Sequence, residues 1–243
     1  MRLFWLLLGL SVLGLAGSVP YLMTTFSTVP LPPGASPGLL VAVSGAQVLG
    51  LAALASFAGV RLAPRAGLDA PWLRAIAERS PRPTGFASLA VEAAALGSLA
   101  AVIVAAMILP LLSSLPSAFS QPPKSGFWTL ASSAFYGGID EEILVRWGLL
   151  SAVLVLVRKV GARDGFWIAN SVVALVFAAG HLPTVAALTG PLTAPTLAYT
   201  LLGNFPAGLF FGWLFRRKGL ESAMIAHGAA DVWLHAALPL LLA

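Results

Sequence analysis

Asp140, Glu141 and Glu142 stand side by side, and Arg146 follows one helical turn later, in a chain otherwise suited to lipid. A charge near the bilayer centre costs roughly 2.5–3.5 kcal/mol on insertion scales. Such a cluster therefore needs partners, water or protons, and it marks a functional site by default. Glu142 and Arg146 are i,i+4, so they share a helix face and can form an ion pair that holds the carboxylate in place. His227 and Asp231 have the same spacing and face one direction. His181 closes another apolar segment.

Three chemistries are open to this set. A buried carboxylate hydrogen-bonded to a histidine is a good general base for activating water. Alternatively, Glu141, His181, His227 and Asp231 could ligate zinc with water in an open position, although no cofactor is expected. The buried carboxylates could also serve a proton-coupled carrier. No H-E-x-x-H or G-x-S-x-G pattern occurs, so the usual zinc-protease helix and nucleophile elbow are absent. With no cysteine in 243 residues, disulfides, thiolate catalysis and Cys-ligated zinc are excluded.

The elements that must position these groups are membrane helices. Hydrophobic residues make up 58% of the chain and charged residues only 9%, where soluble domains carry about 25% charged residues. Apolar segments fall at 3–23, 38–60, 86–112, 127–157, 166–182, 193–215 and 220–241. Their length suits helices and not barrel strands. The expected fold is all-α: a polytopic transmembrane bundle of seven to eight helices around a membrane-embedded polar cavity, forming one domain over 1–243. Gly137-Gly138 is a candidate break within the long run 127–157, and Asp140 a candidate cap for the helix carrying the glutamates. The apolar run Leu3–Met23 exceeds a typical signal-peptide core and reads as an uncleaved first helix.

The basic residues mark topology, not a nucleic-acid face. Of 14 Lys and Arg, Lys124 stands alone on one side and Arg146 falls inside the membrane. Arg2, the arginines of 61–85, Arg158, Lys159, Arg163 and Arg216–Lys218 all fall on the other side, which is cytoplasmic by the positive-inside rule. This places the N-terminus in the cytoplasm of a plasma-membrane protein. Trp72-Leu73 reads as part of a short helix on the membrane surface. Straight helices leave one offset: Glu141 would lie ~25 Å from the basic end at Arg158, and His227 only ~14 Å from Lys218.

At these residues the chain resembles the CAAX-prenyl-protease-like intramembrane family, also called CPBP, Abi or type II CAAX endopeptidases. The first motif, Glu-Glu-x-x-x-Arg, is Glu141-Glu142-Ile143-Leu144-Val145-Arg146. The second, Phe-x-x-x-His, is Phe177-Ala178-Ala179-Gly180-His181, and the last is His227-Gly228-Ala229-Ala230-Asp231. Order and spacing cover a core of about 127–235. The resemblance implies a conical catalytic cavity in the membrane, with Glu141 and His181 activating water and His227 and its partner stabilising the oxyanion. Glu142 and Arg146 would orient the first motif. Many members have Asn where this chain has Asp231. An ionised aspartate cannot donate to an oxyanion, so Asp231 would be protonated, orient His227, or bind a metal.

The expected activity is therefore intramembrane endopeptidase hydrolysis of a membrane-associated peptide or protein, lipidated or not, with the bilayer as a partner and nucleic acid excluded. A catalytically inert binding or immunity protein, and a carrier, are the alternatives. Several residues carry plainer expectations. Glu92 faces the interface, and His235 is an interfacial or core histidine. Gly208 and Gly212 permit close helix packing, while Asn170 and Asn204 bridge helices, with Asn204 beside Pro206 alternatively lining the cavity.

Overall fold

The computed structural model describes all residues except 29, 32, 120–124, 162–164 and 243. The topology markers Lys124 and Arg163, and the loop residue Asp164, lie outside the described residues. The described chain is helical throughout, with no strand among the described residues.

Helices α1 (Arg2–Phe26) and α2 (Pro37–Leu62) form an antiparallel pair. Ser36 caps α2 by accepting from Leu39 N at 3.2 Å, with Pro37 in the first turn where its missing N–H costs nothing. The short amphipathic α3 (Pro71–Glu78) and the long α4 (Phe86–Ile108) follow. The run 127–157 divides into α5 (Phe127–Ala131), α6 (Ser133–Phe135), a π-helical stretch π1 (Tyr136–Leu150) and α7 (Ser151–Lys159). Helices α8 (Phe166–Gly180), α9 (Leu182–Thr189) and α10 (Ala194–Lys218) lead to α11 (Leu220–Asp231), a π-helical turn π2 (Val232–Ala237) and α12 (Leu238–Leu242). Thr193 and Thr196 make a reciprocal capping box at the start of α10.

Six stretches among the described residues are long and apolar enough to cross a membrane: Arg2–Phe26, Pro37–Leu62, Phe86–Ser114, Phe166–Thr189, Ala194–Lys218 and Leu220–Leu242. The segmented run that carries the glutamates is a further apolar stretch. Large apolar side chains such as Leu54, Val91, Val102 and Ile168 are more than half exposed. Contiguous exposed apolar surface on this scale requires a lipid solvent.

The core lies where π1 meets α1, α2 and α11, and where α4 and α8 pack on α11 and α10. Small residues set the approach distances, as helices without a hydrophobic drive in lipid require. A Cβ on Gly97 would overlap the backbone of Ala226, so α4 and α11 touch main chain to main chain. Gly208 and Gly212 bring α10 against Ala174 and Asn170 of α8 as expected, and Asn170 Nδ2 donates to Leu209 O at 2.8 Å.

Two local expectations are corrected. Gly137-Gly138 is not a break. The chain kinks earlier, at Ser132 between α5 and α6, and winds through the glycines as π-helix. Their missing side chains admit α11: a Cβ on Gly138 would stand 2.8 Å from Met224 O, and one on Gly137 would overlap Asp231. Asp140 is not a cap. It is fully buried within π1 and accepts a hydrogen bond from Ser11 Oγ of α1.

The depth offset of His227 has a structural cause. The start of α11 is covered by α3 and the residues before it: Leu220 is buried, its N–H donates to Asp69 O at 3.1 Å, and Glu221 Oε1 accepts from Leu73 N at 2.7 Å. Residue 218 is therefore a poor marker of the membrane edge, and Lys218 reaches out to Glu92 at 2.7 Å. Glu92 is half exposed in that pair, in keeping with an interfacial position.

Candidate active site

Three elements deliver one residue group each. π1 supplies Glu141, Glu142 and Arg146; the C-terminal end of α8 supplies His181; and α11 supplies His227 and Asp231. The structure brings all six together.

At the base, Glu142 and Arg146 are fully buried. Arg146 Nη1 stands 3.1 Å from Glu142 Oε1, an ion pair whose N–H is not aimed along the hydrogen-bond direction. Arg146 Nη2 donates to Gly208 O at 3.3 Å, and the guanidinium lies over the rings of Phe177 and Phe211 at 4.8 and 5.5 Å. A charge out of water needs this much compensation, because removing one partner of a buried pair costs about 3–5 kcal/mol. Glu142 Oε1 also accepts from His227 Nδ1 at 2.7 Å. The His227 ring stacks on Phe211, with centroids 4.5 Å apart. Hydrogen bond and stack together fix its plane and turn Nε2 toward Glu141.

Glu141 lies between the two histidines. Its Oε1 is 4.0 Å from His181 Nε2, and its Oε2 is 3.6 Å from His227 Nε2. His181 Nδ1 is 2.9 Å from Phe177 O. A carbonyl only accepts, so Nδ1 carries the hydrogen, and neutral His181 presents a bare Nε2 to Glu141. Two acceptors make no hydrogen bond to each other, and a 4.0 Å separation suits one water donating to both.

Asp231 extends the row. Its Oδ1 is 3.6 Å from His227 Nε2 and 3.7 Å from His235 Nε2. His235 is thus a neighbour of the site, not a plain core histidine. An i,i+4 step beyond Asp231 was the available sequence signal. Asn204 does not bridge helices; its Nδ2 donates to Thr200 O of its own helix at 2.8 Å.

A cavity of about 460 Å³ adjoins the group. Its wall is mostly apolar, from α4, α10 and the α11–α12 region, with His227, Asp231, His235, Asn204 and Tyr199 as its polar patches. Glu141 and His181 are not part of this lining; Glu141 adjoins it through His227. Among the described residues, no group of three or more His, Asp or Glu is placed to hold a metal ion.

Sequence reasoning missed two positioning contacts. Ser11 holds Asp140, the residue before Glu141, to α1. Glu221, in the first turn of α11, ties the start of that helix to α3. An acidic residue in the first turn of a helix that follows a glycine, here Gly219-Leu220-Glu221, was a usable signal for the second. The first pairs residues 129 apart with no motif between them.

Residues 123–233 match the family model of the Rce1-like type II CAAX prenyl endopeptidases. The matched stretch contains Glu141, Glu142, Arg146, His181, His227 and Asp231. It leaves out α1, α2, α4 and His235. No curated protein and no solved structure matches the chain.

Proposed function

We propose that this protein is an intramembrane endopeptidase that hydrolyses a peptide bond with water activated by Glu141 and His181. The Rce1-like match supports a membrane protease of the CAAX endopeptidase kind acting on a membrane-associated substrate. The observation that carries the finer reading is the placement of Glu141, one oxygen 4.0 Å from His181 Nε2 and the other 3.6 Å from His227 Nε2.

In this reading a water donates one hydrogen to His181 Nε2 and the other to Glu141. Its oxygen attacks the scissile carbonyl carbon as Glu141 takes the proton. The carbonyl π-bond becomes the oxyanion of a tetrahedral intermediate. His227, with Nδ1 committed to Glu142, donates from a protonated Nε2 to that oxygen. The intermediate collapses, the C–N bond breaks, and the leaving amine takes the proton from Glu141. Asp231 orients His227 from the cavity side and is no oxyanion donor while ionised. The Glu142–Arg146 pair is the rigid support beneath.

The protein sits in the plasma membrane with its N-terminus in the cytoplasm, by the side on which the basic loops fall. The test is cleavage in detergent or proteoliposomes of paired peptides with apolar C-terminal segments, one lipidated and one not. Wild-type cleavage that vanishes in Glu141→Gln, with the variant still folded, supports the assignment. Equal cleavage by both proteins rejects it.

A further inference from the structure

We infer that the cavity opens on the face of the membrane opposite the basic loops, so that the substrate is an apolar peptide segment of an exported, membrane-associated polypeptide. This rests on the proposed peptidase reading for the word substrate, and on the structure and the charge distribution for the side.

On each of three helices the cavity lining reaches one end and stops short of the other; on α10 it runs from Tyr199 to Phe211 and leaves the last turns free. From α4 and the turn after it come Ile108 and Leu112, far from the arginines that precede this helix. From α10 comes Tyr199 in its first turns, while Arg216, Arg217 and Lys218 occupy its last turn. From the final stretch come Leu238 and Leu242, at the opposite end from Leu220, which follows those basic residues. Phe119, on the connection after α4, packs its ring on Tyr199 at 4.9 Å, so the cavity extends to the loops of that end. Three independent helices thus give the same answer. The cavity runs from His227 to the end opposite Arg65, Arg158 and Arg216–Lys218. Basic loops stay in the cytoplasm, so the open end faces out.

The chemistry of the lining then selects the substrate. A mostly apolar wall ending at His227, Asp231 and His235 takes an apolar segment in extended form, with a peptide bond delivered to the polar end. A cytoplasmic polypeptide has no access to that end, whatever lipid it carries. An exported chain whose apolar segment remains in the membrane does.

The absence of cysteine makes the test clean, since each introduced thiol is the only one in the protein. Leu192→Cys places a thiol in the exposed loop before α10, on the cavity side. Leu238→Cys places one on the cavity wall, and Arg65→Cys places one among the basic loops. Intact cells are treated with a membrane-impermeant maleimide and the protein is scored by gel shift. The expected result is labelling of Leu192→Cys and Leu238→Cys in intact cells, and of Arg65→Cys only after permeabilisation. The reverse pattern overturns the inference. So does labelling of Leu238→Cys only after denaturation, which would mean a cavity closed to that face. The peptidase reading fails separately: outward labelling with no Glu141-dependent cleavage leaves the side established and the enzyme rejected, and inward labelling with such cleavage does the opposite.

Discussion

His227 donates from Nδ1 to Glu142 at 2.7 Å, and this one bond joins motifs 85 residues apart in sequence. Its consequence is a division of labour between adjacent glutamates. Glu142 is fully buried, and its Oε1 is shared between Arg146 and His227, which holds the carboxylate away from the open side of the site. Glu141 is partly exposed and makes only long contacts, to the Nε2 atoms of two histidines. In the proposed hydrolysis the first supports the site and the second reacts.

Substitution at the two positions should separate accordingly. Glu141→Gln keeps the size and polarity of a group with no short bond, so folded yield and thermal midpoint should stay near wild type. Loss of a general base costs typically 10²–10⁴-fold in rate. The paired measurement is turnover of a membrane peptide beside a thermal-shift scan. A fall in midpoint matching the fall in activity would make Glu141 a structural residue.

Arg146→Ala should behave in the opposite way. It strands Glu142 in a dry interior, for a loss of about 3–5 kcal/mol, and it removes the cation from above Phe177 and Phe211. Folded yield and activity should fall together. Arg146→Lys should recover part of the yield, since the charge returns without the fork that reaches both Glu142 and Gly208 O. Normal folding of Arg146→Ala would show that the pair is not supporting the bundle.

Much of this division follows from spacing alone. The i,i+4 step from Glu142 to Arg146 fixes a shared face whether the helix is α or π, which is why the pair could be read from sequence. Seven apolar segments likewise correspond to helices, because lipid forces backbone satisfaction within each segment. The π winding of Tyr136–Leu150 carries no such local mark. It goes with close packing of Gly137 and Gly138 on α11, a tertiary contact that periodicity cannot express. The Ser11–Asp140 bond and the cover of α3 over Leu220 are similarly long-range, and the second is what upset depth estimates made from straight helices.

The glycines of π1 give a packing test. A methyl on Gly138 has only the backbone of α11 to push against, at 2.8 Å from Met224 O, and main chain does not yield cheaply. Gly138→Ala should destabilise by about 1–3 kcal/mol, the usual range for overpacking. It should also reduce activity by moving His227 away from Glu141. Gly180→Ala, at a glycine with open space around its Cβ position, is the control and should fold normally. Equal stability of the two variants in chemical denaturation would show that the π1–α11 contact is looser than described.

Asp231 distinguishes orientation from charge. Its Oδ1 faces His227 and His235 at 3.6 and 3.7 Å. An asparagine carbonyl can accept from the same imidazoles, and its amide adds a donor for the oxyanion. Asp231→Asn should therefore keep activity within about tenfold of wild type. Asp231→Leu should lose about 10²–10³-fold, the scale of losing the oxyanion contact that an unoriented His227 no longer makes. A dead Asp231→Asn would show that the negative charge itself is required.

That last outcome would bear directly on metal. The hydrolysis proposed here uses no metal, a reading that rests on the arrangement of donors. Both histidines have Nδ1 engaged, by Phe177 O and by Glu142, leaving one Nε2 each. Among the described residues no three His, Asp or Glu side chains are arranged to hold a metal ion, and the two histidines come from separate helices without the short spacing of a zinc helix. Cleavage should therefore continue unchanged after dialysis against a strong chelator, and elemental analysis of active protein should find no stoichiometric transition metal. Activity lost on chelation and restored by zinc alone, with metal bound one to one, would replace the Glu141–His181 water with a metal-bound one. Asp231 would then become a ligand whose charge asparagine cannot supply, and Asp231→Asn would lose metal and activity in parallel.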